Sequence, residues 1–314
     1  MPAFPLAEPD AHGFLATGDG NRVYWEAGGN RDGKPVLCVH GGPGAGGNRR
    51  ATTGFDPAKF RILRFDQRGC GRSEPHVADP AVSLEHNTTE HLIADMERLR
   101  EHLGIGDWLL YGGSWGATLI LAYAERYPEH VSGIVLVSAF TSTPDEIGWL
   151  YSGLRRLLPR EWQAFRDAAP EGELLAAYGR LLASSDRAVQ LQAARDWCAW
   201  EDAVIAHETN GKPGAYSDRS DVELIALARL CAHYFGHHAW LDDGAIQRDV
   251  HRLRGIPAVL IQGRLDLGAP LQAVWQLARE WPSAELVVID DAGHTGSSAM
   301  GEAVLKAIAR FEPA

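Results

Sequence analysis

Two textures of apolar patterning alternate along the chain. Short, near-continuous apolar runs rich in β-branched residues occur at 34–39, 61–65, 108–111, 133–138, 257–261 and 285–289. Runs of this kind read as strands covered on both faces, the habit of parallel sheets. Ahead of them, Gly13–Thr17 and Arg22–Ala27 are joined by Gly18-Asp19-Gly20-Asn21, a turn-rich link that predicts an antiparallel hairpin. Helical spacing appears between the runs. Leu92, Ile93, Met96, Leu99 and Leu103 form one stripe, with Asn87 placed to cap it and Glu90 three positions later. From Thr141 to Asp249 strand-like runs disappear, leaving helical stretches rich in Ala, Leu, Arg and Trp. The pattern predicts an α/β protein: a mostly parallel, eight-stranded sheet from residues 1–140 and 250–314, with a helical cap domain inserted at 141–249.

One junction between a run and a helix carries candidate chemistry. Trp108-Leu109-Leu110-Tyr111 leads into Gly112-Gly113-Ser114-Trp115-Gly116, and Ala117 to Arg126 follows as a helix ended before Pro128. A strand, a tight turn and a helix are the setting in which G-x-S-x-G presents an exposed, strained serine. The helix start aims N–H groups at any anion formed beside Ser114. A serine hydroxyl needs a base, and the base needs an orienting acid. Asp266 follows the run at 257–261 and His294 follows the run at 285–289, in the chain order Ser, Asp, His. Both therefore fall on loops beyond strand ends, where open α/β sheets carry their sites. Asp290 and Asp291 are rival acids, but their closeness to His294 suits them to loop structure instead. An oxyanion hole would take one N–H from Trp115. The other is assigned to Gly42, in the loop His40-Gly41-Gly42-Pro43-Gly44 that follows the run at 34–39. A neutral histidine base implies activity rising with pH through the ordinary histidine range, near roughly 6.5.

Composition narrows the partners. The net charge is −11 with no basic block, which argues against nucleic acid or an anionic membrane surface. No apolar stretch is long enough to span a bilayer, and Met1 to Gly13 lacks the apolar core of a signal peptide. Cys38, Cys70, Cys198 and Cys231 show neither metal-type nor redox-type spacing, so reduced thiols and a cytoplasmic location are expected. No metal or cofactor is expected.

A wider set of segments is distinctive: His40-Gly41-Gly42-Pro43-Gly44, Phe65-Asp66-Gln67-Arg68-Gly69-Cys70-Gly71-Arg72-Ser73, Asn87-Thr88-Thr89, Gly112-Gly113-Ser114-Trp115-Gly116, Trp197-Cys198-Ala199-Trp200-Glu201, His233-Tyr234-Phe235, Gly263-Arg264-Leu265-Asp266 and Ala292-Gly293-His294. Together, from about residue 13 onward, these resemble the prolyl aminopeptidase (proline iminopeptidase) family of α/β-hydrolases. The resemblance implies an α/β-hydrolase fold and metal-free cleavage of an N-terminal residue, typically proline, from a small peptide or aminoacyl amide. It also implies that Glu201 binds the substrate's amine. On spacing alone Trp197 and Trp200 read as core residues at helical spacing with Glu201 solvated.

The chain departs from the family's pattern at three places. Cys231 stands where a second glutamate is usual, Val137-Ser138 replaces an Arg-Gly, and Leu265 replaces a tyrosine. With Phe140 and Val137 as further pocket residues, these changes predict a less polar specificity pocket. Removal of another small residue such as alanine, from an apolar amine or a metabolite, is then an alternative to proline. An esterase on the same machinery and a catalytically silent binding module are the other readings the residues leave open.

Overall fold

The computed structural model describes residues 4–206, 208 and 214–313; positions 207 and 209–213 of the helical block lie outside them. Eight strands form one sheet: β1 Pro9–Ala16, β2 Arg22–Gly29, β3 Lys34–Val39, β4 Phe60–Phe65, β5 Trp108–Ser114, β6 Val131–Ala139, β7 Ala258–Gly263 and β8 Ala284–Ile289. Their order is β1-β2-β4-β3-β5-β6-β7-β8. The pairs β1·β2 and β2·β4 are antiparallel and every other pair is parallel.

The unbroken apolar runs have a direct cause: both faces of the sheet are covered. Leu37, Val39, Leu63, Leu110, Leu136 and Leu260 pack into one core. Their strand neighbours Val36, Cys38, Ile62, Leu109, Val135 and Val259 pack into the other. Successive side chains on a strand point to opposite faces, so each strand must be apolar at every position. Helices α1 Thr89–His102 and α2 Trp115–Arg126 bury their apolar stripes on the first face.

Between β6 and β7 the described residues form helices without strands. These are α3 Pro144–Tyr151, α4 Pro159–Ala168, α5 Leu174–Leu182, α6 Arg187–Ala206, α7 Asp221–Phe235 and α8 Ala245–Asp249, with short 3-10 turns among them. Helices α9 Leu271–Glu280 and α10 Ser298–Ala309 return to the sheet, and Met300, Ala307 and Ile308 of α10 join the second core. At the start of the helical block Thr143 and Glu146 form a capping box, and the buried Glu146 carboxylate also accepts from Thr141 Oγ1. A carboxylate satisfied in this way pins the point where the chain leaves the sheet.

The cap of α1 differs from expectation. Thr88, not Asn87, is the capping residue, accepting from the His91 N–H. Asn87 is withheld for tertiary bonds: its amide donates to the Arg68 carbonyl at 3.3 Å, and its side-chain oxygen accepts from Tyr234 Oη at 2.7 Å.

Candidate active site

β5 ends on Ser114 and α2 begins on Trp115, so the chain reverses within one residue. Ser114 has φ 53° and ψ −132°, a conformation that side chains rarely adopt. The flanking glycines are dictated by packing. A Cβ on Gly112 would lie 2.7 Å from the Val39 carbonyl oxygen, one on Gly116 2.5 Å from the same atom, and one on Gly113 would collide with the Val137 carbonyl. β3 and β6 approach too closely on either side for any side chain. Ser114 makes no capping bond to its helix and instead lines two separate cavities, as does His294.

The two expected partners meet. His294 Nδ1 donates to Asp266 Oδ1 at 3.0 Å, which leaves Nε2 as the acceptor of the neutral ring. Asp266 is buried, and its Oδ1 also accepts from the Ala269 N–H at 2.7 Å. Gln262 steadies the acid: its Nε2 donates to Asp266 Oδ2 at 3.2 Å, while its Oε1 accepts from the Ala139 N–H at 2.8 Å. Asp290 pairs at the surface with Arg264, and Asp291 accepts from Ser297 Oγ. Neither rival acid is bonded to the His294 ring.

Sequence reasoning missed Glu208. This buried carboxylate reaches back from beyond α6 to accept the His294 N–H at 2.6 Å and the Leu267 N–H at 3.1 Å. It thereby ties the histidine loop to the acid loop. The only trace in the sequence is its position seven residues after Glu201, two helical turns on. Burial disfavours the His294 imidazolium, but the charge and hydrogen bond of Asp266 outweigh it. With Glu208 and Glu201 they raise its pKa to about 9. This revises the expectation of an ordinary histidine range, because three carboxylates that are distant in sequence surround one ring.

The loop at 40–44 lies against the elbow: a Cβ on Gly41 would come within 3.4 Å of Ser114 Cβ. Gln67 locks the loop in place. Its Nε2 donates to the His40 carbonyl at 2.8 Å, its backbone N–H donates to His40 Nε2 at 2.9 Å, and its Oε1 accepts from Trp115 Nε1 at 3.0 Å. Burial lowers the pKa of His40, favouring the neutral ring that can accept that bond. Arg68, fully buried, is held by Asp95 through Nη2 at 2.7 Å and by Asp19. The Asp66-Gln67-Arg68-Gly69 motif therefore serves as the scaffold of the Gly42 loop. Gly42 itself, at φ 115°, lines the first cavity.

That first cavity is small, with about 30 Å³ free. Phe140, Glu201, Cys231 and Phe235 line it together with Ser114 and His294. Trp197 and Trp200 lie in an aromatic core, Trp197 5.0 Å from Tyr151 and Trp200 5.6 Å from Phe165. Glu201 is not solvated: its Oε1 accepts from Tyr151 Oη at 2.7 Å and it faces the cavity. Burial raises the Glu201 pKa, while the Tyr151 bond and the nearby His294 oppose the rise. Of the three sequence departures only Cys231 reaches this cavity, its thiol directed at the Pro43 carbonyl at 3.5 Å. Val137 lines the second cavity instead, because β6 carries it to the far side of the elbow, and Leu265 is exposed. The less polar pocket predicted from three changes thus rests on one.

All four cysteines are free and buried; burial pushes the Cys38 and Cys198 thiols up to about 12. Asp19, His86 and His91 bring ligand-type atoms within 4.8 Å of one another. Arg68 already occupies Asp19 Oδ2 at 2.5 Å, and His91 Nδ1 is bonded to Thr88 Oγ1 at 2.8 Å. A cation there would have to displace both.

Residues 34–297 match the model of the alpha/beta hydrolase fold family. Over 320 aligned residues the chain is 43% identical to a probable proline iminopeptidase of Streptomyces coelicolor, covering 99% of this chain and 98% of that one. It is 42% identical to the proline iminopeptidase of Neisseria gonorrhoeae, covering 99% of each. Among solved structures, the proline iminopeptidase of Mycobacterium smegmatis aligns over 96% of this chain and 97% of its own, with a TM-score of 0.65 at 18% identity. No helix among the described residues is long and apolar enough to cross a membrane.

Proposed function

Because the chain belongs to the proline iminopeptidase family of α/β-hydrolases, we propose that it removes an N-terminal residue, proline or another small one, from a short peptide through an acyl-enzyme on Ser114. His294 Nε2 takes the Ser114 proton as the hydroxyl oxygen attacks the scissile carbonyl. The N–H groups of Trp115 and Gly42 receive the oxyanion. Asp266 holds the His294 tautomer and stabilises the imidazolium, which then protonates the departing amine. Water, deprotonated by the same ring, attacks the ester and frees the amino acid and Ser114.

The observation that carries this reading is a carboxylate in the same small cavity as the nucleophile and the base. Glu201, braced by Tyr151, supplies a charge-assisted hydrogen bond to an ammonium or imino group, worth about 1.5–3 kcal/mol away from water. An ester or acyl pocket has no use for it. This pocket is far smaller than the second cavity, about 30 Å³ against about 570 Å³, which favours a compact N-terminal residue over a bulky one. The helical block at 141–249 acts as the cap of this site. Its α6 carries Glu201 and its α7 carries Cys231 and Phe235.

The test is a panel of prolyl-, alanyl- and leucyl-β-naphthylamides with N-acetylated and ester counterparts, beside labelling by a fluorophosphonate. Free-amine substrates with small residues should dominate, and the label should fall on Ser114. Equal turnover of acetylated and free-amine substrates would overturn the assignment.

A further inference from the structure

The second cavity also reaches Ser114 but is not lined by Glu201, and its charge is out of character with the molecule. It is a groove of about 570 Å³ that shares Ser114 and His294 with the first pocket, and its charged lining residues are Arg49, Arg64, Arg219 and Glu223, with glycines of the 41–47 loop among the rest. The chain as a whole carries −11, yet this groove presents three guanidinium groups against one carboxylate. Arg49 is matched by Glu26 at 2.8 Å. Arg64 is bonded to Glu26 at 3.0 Å but is almost wholly buried, with Nε and Nη1 lacking partners among the described residues. Arg219 donates to the Ala45 carbonyl at 3.2 Å, and its Nε has no partner among the described residues. These unpaired nitrogens are shut off from solvent, so their charge acts on the groove as a field.

The same loop fixes the spacing. A Cβ on Gly41 would come within 3.4 Å of Ser114 Cβ, the Ala45 N–H returns to the Gly41 carbonyl at 3.3 Å, and the Ala45 carbonyl accepts from Arg219. Ser114 and Arg219 therefore both lie against the 41–45 turn, on a groove large enough to take one or two residues of extended chain at roughly 3.3–3.6 Å each.

Resting on the reading above, we propose that this groove takes the leaving side of the substrate and that Arg219, in the field of Arg49 and Arg64, binds its C-terminal carboxylate. The enzyme is then directed at di- and tripeptides with a free carboxyl end. An N-terminal ammonium is held by Glu201 in the first pocket and a C-terminal carboxylate by Arg219 in the groove. Longer chains lose the second contact, because their carboxylate lies beyond it.

The experiment compares Pro-Ala with Pro-Ala amide, using prolyl-β-naphthylamide as the reference. Wild type should hydrolyse the acid about tenfold faster in kcat/KM than the amide, and the ratio should shrink in high salt. Arg219→Met should bring the ratio close to one. Glu223→Gln, which retains a residue able to complete the helix capping box with Ser220, should raise it. The ratio is internal to each variant, so partial loss of folded protein does not move it. A wild-type ratio near one, with the naphthylamide cleaved, overturns the carboxylate site and leaves the aminopeptidase standing. A ratio that survives Arg219→Met also overturns it. If neither peptide is cleaved, nor the prolyl-, alanyl- and leucyl-naphthylamides, the aminopeptidase reading falls and this inference with it; if only the alanyl or leucyl naphthylamide is cleaved, the same acid-to-amide ratio is read on Ala-Ala or Leu-Ala.

Discussion

Glu208→Gln is the sharpest perturbation the site offers, because the substitution preserves shape while removing one charge. The carboxylate accepts the His294 N–H at 2.6 Å and the Leu267 N–H at 3.1 Å from a buried position. Charge-assisted bonds are worth about 1.5–3 kcal/mol and neutral ones about 0.5–1.5, so the variant should lose about 1–3 kcal/mol of stability. In a protein of this size that is several degrees of melting temperature. The second effect has a definite sign. Glu208 helps to raise the His294 pKa to about 9, and two unit charges about 6 Å apart at an effective dielectric of 20–40 interact by about 1–3 kcal/mol, or about one to two pH units. Burial raises the pKa of Glu208 itself, which favours the lower end. The assay is kcat/KM against pH with a prolyl-naphthylamide. The wild-type acid limb should lie above the ordinary histidine range, since only the neutral ring accepts the Ser114 proton. In Glu208→Gln the limb should move down by about one unit while the high-pH plateau falls by about tenfold, as the histidine and acid loops lose their common tether. The two profiles should therefore converge at low pH. An unchanged limb together with an unchanged melting temperature would show that Glu208 neither tethers nor tunes the histidine.

Ser114→Ala and His294→Ala should each lose several powers of ten in kcat, and the double variant little more, as expected of groups acting together. Glu201→Gln should lower kcat/KM for free-amine substrates by about one to two powers of ten and leave esters lacking an amino group unaffected, read by steady-state kinetics on paired substrates. Gly113→Ala would drive a methyl group into the Val137 carbonyl, and a urea melt should show a loss of about 1–3 kcal/mol or more. Burial, then the charge of Asp249, raises the pKa of Glu125 on α2 to about 9, and its Oε1 has no partner among the described residues. A carboxyl raised in the folded state stabilises fully below its unfolded pKa, and that contribution is lost as pH climbs towards 9. Melting temperature should accordingly decline less steeply over that range in Glu125→Gln than in wild type.

The chain by itself determined whatever depends on short-range pattern. Strands covered on both faces must be apolar at every position, so the runs around Val36, Leu109, Val135 and Val259 declared a parallel sheet, and the absence of such runs from Thr141 to Asp249 declared the helical block. The elbow was equally legible, since glycines on both sides of Ser114 are forced by the carbonyls of Val39 and Val137. Asp266 and His294 could be chosen because strand ends and chain order leave few candidates. Asn87 was misjudged because a capping residue and a residue recruited by Tyr234 look alike in one dimension. What only the tertiary structure decided is which side of the elbow each residue faces. Val137 went to the larger groove and Cys231 to the small pocket, while Glu208 arrived from beyond α6 to hold the histidine loop. The arginines of the groove come from β4, the 49–52 turn and the segment before α7. A pKa near 9 for His294 likewise needs carboxylates from three segments. Such features depend on distances between parts of the chain far apart in sequence, and a local pattern of polar and apolar residues does not encode those distances.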